Sequence, residues 1–215
     1  MTSDELRASA AGKLRAIGHS FVARDLTDDQ LRELSEHLDA IRSLVQDAPA
    51  RVRVVDPQTA SKFSMHAPVQ ESRTSKQLFA DSVVSGNANP LGIGAELWRD
   101  GDLAIMEVTL GKAFEGAPGR AHGGVVAALI DETMGVVLGI AEVLAFTAQL
   151  DITYRAPTPI GHPIRVTAWL TKHEGRKLSI EAKVEDGETL IASATALFIS
   201  VDPQAFLAKI IEGSL

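Results

Sequence analysis

The stretch that decides the fold lies between residues 122 and 140 and reads HGGVVAALIDETMGVVLGI. From residue 125 onward it is apolar on nearly every side of a helical wheel, so it predicts a helix over 125–140 that is buried nearly all round. Two acidic residues, Asp131 and Glu132, interrupt it. A membrane span usually needs about 20 nearly uncharged residues, so these charges favour a buried core helix and no membrane span.

Strands flank this helix, and those that follow it show the two-residue period of a half-buried sheet. The dipeptide Asp186-Gly187 predicts a hairpin turn before the last of them. The predicted strands are 93–98, 103–110, 149–154, 164–171, 179–184 and 190–201. Because no helices separate the later strands, the pattern disfavours a doubly wound parallel sheet. It predicts an α+β fold in which one antiparallel sheet wraps around a central helix, with the last four strands in meander order.

The chain on either side of this unit predicts additional helices. Thr27 is the expected N-cap of the second N-terminal helix, because Gln30 follows at the capping-box position. Residues 49–90 mix Pro, Ser, Gln and Asn and predict a long irregular connection with a short strand over 51–55. We expect an N-terminal helical and irregular extension over 1–85, the sheet-and-helix domain over 86–202, and a short C-terminal helix over 203–215.

Composition excludes several classes of protein. The formal net charge is -7, whereas general nucleic-acid binders usually carry a basic excess, so we expect no nucleic-acid partner. The chain has no cysteine, which excludes disulfide scaffolds, cysteine nucleophiles and cysteine-based zinc sites. Residues 1–13 lack the apolar core of a secretory signal, so we expect a cytoplasmic protein.

The sequence His122-Gly123-Gly124 opens the predicted central helix. Each glycine weakens a helix by roughly 1 kcal/mol relative to alanine, so the pair needs a reason. One reason is a tight turn into the helix. Another is the close approach of a ligand carbonyl, because the first helical turn has unpaired N–H groups and a positive dipole end that can form an oxyanion hole. In that case the Gly123 N–H is the oxyanion donor and Gly124 contributes to substrate binding.

Asp131 is the second feature that needs a reason. Burying an unpaired carboxylate costs several kcal/mol, so Asp131 is either bonded to a neighbouring hydroxyl or N–H group or used in catalysis. Glu132 projects about 100° away around the helix. The apolar pattern alone leaves open which of the two faces a cavity.

These residues carry a resemblance to a known family. Residues 114–131, FEGAPGRAHGGVVAALID, resemble the PaaI-like hotdog thioesterases, and most closely the THEM group of acyl-CoA thioesterases. In that family an acidic residue follows the histidine of His-Gly-Gly by nine positions, which here selects Asp131. Residues 147–157, TAQLDITYRAP, resemble the family's next strand, near whose start a Ser or Thr helps the attacking water; Thr147 matches it.

The resemblance covers about residues 90–201 and implies a hotdog fold, here with an N-terminal helical extension. It also implies hydrolysis of an acyl-CoA substrate by a hotdog dimer. One departure concerns the position six residues before His122, where several relatives carry an Asn or Gln that polarises the thioester. This chain has Gly116 there. Polarisation of the carbonyl is therefore left to the backbone.

Helix geometry predicts that two chains share each site. Seven residues separate Gly124 from Asp131, or about 10 Å along a helix, whereas an activated water must lie about 3 Å from the carbonyl it attacks. Two antiparallel copies related by a twofold axis would join the half-sites twice. We expect His122, Gly123 and Gly124 from one subunit to meet Asp131 and Thr147 of the other, in a homodimer or a tetramer.

The sequence therefore predicts acyl-CoA hydrolysis with Asp131 as general base or nucleophile and His122 fixing the loop by a side-chain bond. We expect no cofactor and no metal, since no third or fourth ligand lies at helical or hairpin spacing from His122 and Asp131. Two alternatives stay open, a non-catalytic acyl-CoA sensor and a hotdog acyl-thioester dehydratase. Basic side chains on or between the later strands are either CoA phosphate ligands or solvated surface residues: Arg155, Lys172, His173, Arg176 and Lys177.

Overall fold

A six-stranded antiparallel sheet and one long helix form the core of the protein. The computed structural model describes residues 1–49 and 80–211. The helices are α1 (Ser3–Val22), α2 (Asp28–Gln46), α3 (Gly123–Ile140) and α4 (Pro203–Ile211), with a 3-10 turn at Lys112–Phe114. The strands are β1 (Glu96–Asp100), β2 (Leu103–Thr109), β3 (Glu115–Ala117), β4 (Arg120–Ala121), β5 (Ala145–Tyr154), β6 (Pro163–Glu174), β7 (Lys177–Asp186) and β8 (Thr189–Ser200).

The strand order in the large sheet is β1-β2-β6-β7-β8-β5, with every neighbouring pair antiparallel. The predicted meander is therefore right for β6 to β8 and wrong for β5, which lies at the far edge against β8. The chain after β5 crosses to the other half of the sheet, where the Gly161 N–H donates to the Leu110 carbonyl at 2.8 Å. A two-residue period predicts a strand but carries no information about which strand lies beside it.

The sheet packs its small side chains beneath α3. Ala104, Ala168, Ala182 and Ala194 lie in register on four adjacent strands, β2, β6, β7 and β8, and all four are buried in the core. Because alanine projects only a methyl group, this row lets the helix lie close to the sheet. The larger core side chains of α3 then fill the space on either side.

The central helix begins two residues earlier than predicted and is buried on one side only. Its buried residues face the sheet and are Val126, Leu129, Ile130, Thr133, Met134, Val137 and Leu138. Gly124 and Gly135 are exposed on the other side, and Asp131 is half-buried. The expectation of burial nearly all round is wrong for a single chain, because one sheet covers only one side of a helix. By length and composition alone this helix could also cross a membrane, a test that the core helix of a soluble protein passes as well.

The second N-terminal helix begins where its capping residues predict. In α2 the Thr27 hydroxyl accepts from the Gln30 N–H, and the Gln30 side chain accepts from the Thr27 N–H. The strand predicted over 93–98 begins instead at Glu96, because Gly94 has a φ of 75° and donates its N–H to the Val84 carbonyl. The strand predicted over 51–55 lies outside the described residues, and the boundaries predicted for the three parts of the chain stay a prediction.

Candidate active site

The start of α3 leaves one backbone donor available. His122 is the N-cap, and its Nδ1 accepts from the Gly124 N–H at 3.0 Å. The His122 carbonyl accepts from the Val125 N–H at 2.9 Å. In the part of the chain that the structure describes, the Gly123 N–H has no acceptor. The turn therefore satisfies the second and third N–H groups of the helix and leaves the first without an acceptor in the described residues.

A short hairpin loop holds His122 in place. The His122 N–H donates to the Phe114 carbonyl at 2.8 Å, and β3 pairs with β4 directly before the helix. The Glu115 carboxylate accepts from the Gly119 N–H and forms an ion pair with Lys112 at 3.1 Å. The Gly119 hydrogen bond, followed by Lys112, lowers the pKa of Glu115 below its ordinary value. The loop before α3 is thus fixed by hydrogen bonds on both of its strands.

Gly116 explains the departure from the family pattern. A Cβ atom built on Gly116 would lie 2.8 Å from the Cα of His122 and 3.1 Å from its Cβ. Such contacts are too close for any side chain unless the backbone of the loop shifts. An Asn or Gln side chain is therefore excluded from this position in the present loop.

Asp131 and Thr147 meet as predicted. The Thr147 hydroxyl donates to Oδ1 of Asp131 at 2.8 Å. Thr147 lies in β5 at a register shift between Thr147 and Gln149, which re-aims the side chains of the strand at this point. Oδ2 of Asp131 makes no hydrogen bond within the described ranges. The pair thus combines a carboxylate oxygen that can accept a proton with a hydroxyl oxygen that can position a water.

Glu132 has a structural role that the sequence left open. Its carboxylate accepts from the Ser82 hydroxyl at 2.8 Å, from the Ser85 N–H at 3.1 Å and from the Ser85 hydroxyl. Three donors from residues 82–85 therefore hold this carboxylate against the segment that precedes the sheet. Asp131, one residue earlier, is left on the open side of α3.

Tyr154 is a site residue that the sequence analysis missed. Its hydroxyl donates to the Gly123 carbonyl at 2.8 Å, and burial raises the pKa of Tyr154 above its ordinary value. Tyr154 lies seven residues after Thr147 in β5, so one strand contacts both ends of the candidate site. The available signal was that Tyr154 is the only tyrosine of the chain and continues the alternation of Leu150 and Ile152 in the strand after the motif helix.

One chain does not bring the two half-sites together. Gly123 and Asp131 are eight residues apart on α3, or about 12 Å along its axis. The basic residues considered as CoA phosphate ligands lie at two ends of the sheet. Arg155 follows Tyr154 at the Gly123 end of β5, whereas the hairpin residues 172–177 lie at the end of the sheet where β5 begins. Among the residues that the structure describes, no group of three or more His, Cys, Asp or Glu side chains could hold a metal ion.

Known proteins resemble this chain in both sequence and fold. Residues 118–193 match the family model described as "Thioesterase superfamily". A crystal structure of a thioesterase superfamily protein is 26% identical to this chain with a TM-score of 0.73, and the match covers 90% of this chain and 94% of that one. The sheet and its central helix therefore have the hotdog fold, which confirms the predicted fold, and the matched segment is similar to the thioesterase superfamily.

Within that class, the sequence is similar to the THEM group, as the motif predicted. Mouse "Acyl-coenzyme A thioesterase THEM4" is 44% identical over 96 residues, which make up 44% of this chain and 41% of the relative. The bovine protein of the same name is 34% identical over 141 residues, 63% of this chain and 56% of the relative. The matched segments thus span about half the length of these relatives.

Proposed function

We propose that this protein hydrolyses acyl-CoA thioesters to a free acid and CoA, in two sites shared between the subunits of a homodimer. The observation that carries the proposal is the Gly123 N–H, which has no acceptor in the described structure although its neighbours in the same turn are bonded. The names of the THEM4 relatives support acyl-CoA as the substrate class.

The Gly123 N–H is the donor for the oxyanion. It lies at the N-terminus of an 18-residue helix, where the helix dipole adds positive potential. A negative charge that develops on the thioester oxygen is stabilised there more than the neutral carbonyl is, which lowers the barrier to attack. The Tyr154 hydroxyl, bonded to the Gly123 carbonyl, fixes the peptide that follows this donor.

Asp131 supplies the second half of the reaction. As a general base, it takes a proton from water while the water oxygen bonds to the carbonyl carbon; as a nucleophile, its own oxygen bonds to that carbon and water cleaves the resulting anhydride. In both routes the carbon–sulfur bond breaks and CoA leaves as a thiolate. With a thiol pKa of about 8.5, that leaving group needs little acid assistance, which suits a site with few titratable side chains.

Two open surfaces support a dimer. β5 is ten residues long, its outer edge is unpaired in the described sheet, and Phe146 and Tyr154 on it are 47% and 49% exposed. Long edge strands readily pair with another chain. On α3 the exposed side carries Asp131 and Gly135, four residues apart. Gly123 and Asp131 of one chain are about 12 Å apart along the helix, too far to act on one carbonyl. An antiparallel partner would place its own Asp131 and Thr147 near Gly123 of the first chain.

The first experiment measures thiol release from a panel of acyl-CoAs with a thiol-reactive dye. Asp131→Asn is expected to lower kcat roughly 10²- to 10⁴-fold, because it removes the base or nucleophile. Asp151→Asn is the matched control, since Asp151 is exposed on the same strand as Thr147 and bonds only to Gln149 in the described structure. Wild-type turnover in Asp131→Asn contradicts the assignment. Binding of acyl-CoA without release by the wild type contradicts hydrolysis and favours a sensor.

The second experiment removes the oxyanion donor alone. Gly123 is the first residue of α3, where proline is well tolerated, and His122 already has the extended conformation that precedes proline, with φ of -66° and ψ of 133°. Gly123→Pro therefore deletes the N–H while the helix is kept, and kcat is expected to fall about 10²- to 10³-fold. A Gly123→Pro protein with wild-type kcat refutes the backbone donor.

Mixing the two inactive variants tests the shared site. Subunit exchange between Gly123→Pro and Asp131→Asn makes half of the dimers mixed, and each mixed dimer has one intact site and one doubly altered site. About one quarter of the wild-type activity is therefore expected to return. No recovery after confirmed exchange shows that each site lies within one chain. Turnover in H₂¹⁸O then tests the nucleophilic role, because a label on Asp131 requires an anhydride that water attacks at the aspartyl carbon.

A further inference from the structure

The N-terminal helix α1 packs against the rest of the protein through small and polar side chains. Its less exposed residues follow a helical spacing on one face and are Ala8, Ala11, Gly12, Arg15 and His19. Its large apolar side chains Leu14, Ile17 and Phe21 are exposed. Ala11 on this face is buried but contributes little apolar area, so the contacts of the polar residues are the specific ones that position the helix.

Arg15 and His19 make those contacts at two different places. The Nη1 group of Arg15 donates to the carbonyls of Asn89 at 2.6 Å and Asn87 at 3.1 Å, in the segment before β1. Nδ1 of His19, one turn later, accepts from the Ala113 N–H at 3.2 Å. The His19 ring also packs edge-on against Phe114, with 5.1 Å between ring centroids. His19 is therefore the residue through which α1 contacts the 3-10 turn.

The loop is shaped to receive His19. A Cβ atom on Gly111 would lie 2.5 Å from Nδ1 of His19, so any other residue at position 111 would displace the imidazole. From this turn the contact continues to the candidate site, because the Phe114 carbonyl accepts from the His122 N–H at 2.8 Å. The next N–H along the chain is that of Gly123, the proposed oxyanion donor.

We propose that His19 is a positioning residue, through which α1 braces residues 111–122 and fixes the direction of the Gly123 N–H. The N-terminal extension then affects the reaction by holding the loop in place, without contacting the substrate. The brace rests on the proposed function, since its purpose is the geometry of that donor.

The test compares two variants that each retain one half of the His19 contact. His19→Phe keeps an aromatic ring against Phe114 and removes the acceptor, whereas His19→Asn keeps an acceptor at the position of Nδ1 and removes the ring. His19→Phe is expected to lower kcat about tenfold with KM unchanged, less than the 10²- to 10³-fold loss of a deleted donor. His19→Asn is expected to retain most of the activity. His37→Phe on α2, where the histidine side chain is 72% exposed, is the matched control and is expected to behave as the wild type.

Amide hydrogen exchange over residues 111–122 is the second measurement. His19→Phe is expected to accelerate exchange there, and His37→Phe is not. Wild-type kcat in His19→Phe, or unchanged exchange in this loop, overturns the brace; a lower melting temperature with normal kcat overturns it as well. If the wild-type protein releases no thiol, the proposed function fails, and exchange in the loop alone then decides whether α1 supports it.

Discussion

Gly135 offers the sharpest test of the proposed dimer. It lies one turn after Asp131 on the exposed side of α3, and a Cβ atom built on it would meet nothing within 4 Å. The Cβ atom of Gly135→Leu therefore has open space around it in a single chain. Leucine is also the better helix former, by about 0.8 kcal/mol, so the isolated subunit is expected to unfold at a higher temperature.

The same substitution has the opposite effect if α3 faces a partner. A bulky side chain forced into a close contact between two helices makes the free energy of association less favourable by about 1–3 kcal/mol. Because the two subunits are related by a twofold axis, the substitution is present twice in each dimer. The total of roughly 2–6 kcal/mol corresponds to a dissociation constant raised by about 30-fold to 10⁴-fold. Loss of the dimer separates the half-sites, so thiol release is expected to fall together with dimer content.

Sedimentation velocity over a range of protein concentrations, combined with thermal unfolding and thiol release, measures all three effects. Gly18→Leu is the matched control, because Gly18 also lies within a helix with nothing within 4 Å of a built Cβ atom. A Gly135→Leu protein that dimerises and turns over as the wild type does would refute the placement of α3 against a second subunit.

Three further predictions concern the groups around the site. Tyr154→Phe removes one hydrogen bond to the Gly123 carbonyl, worth about 0.5–1.5 kcal/mol, so steady-state kinetics should show kcat lowered about 2- to 12-fold with KM unchanged. Glu132→Gln weakens three hydrogen bonds to residues 82–85, and urea unfolding should show a loss of about 1–3 kcal/mol, against no change for the exposed Glu36→Gln. For Glu115, whose pKa is lowered in the folded state, the stabilising bond is complete above the ordinary glutamate value of 4.5 and is lost as the pH falls through the lower folded value. The NMR shift of the Gly119 amide should report this titration, and a midpoint at or above 4.5 would contradict it.

Local patterns in the sequence were sufficient for the helices, for the six strands of the large sheet and for part of the site, but not for the short strands β3 and β4. Thr27 and Gln30 predicted the start of α2, because a capping box depends only on residues three apart. Alternation predicted the strands β6 to β8 and their hairpins, because neighbours in a meander are also neighbours in sequence. The spacing from His122 to Asp131 and the resemblance of Thr147 to a family motif predicted two residues that the structure joins by a hydrogen bond.

Contacts between distant parts of the chain required the tertiary structure. The place of β5 beside β8, the role of Glu132 and the contacts of Tyr154 and His19 join residues that are 31 to 94 positions apart in the hydrogen bonds concerned. No periodicity or cap encodes such pairings, because they result from which surfaces bury each other once the sheet has formed. The sequence by itself thus predicted the residues of the candidate chemistry, namely Gly123, Asp131 and Thr147. Only the tertiary structure showed that the Gly123 N–H has no acceptor in the described residues, that the Glu132 carboxylate is bonded to residues 82–85 and that α1 contacts the loop before α3. These features depend on hydrogen bonds between residues that are far apart in the sequence.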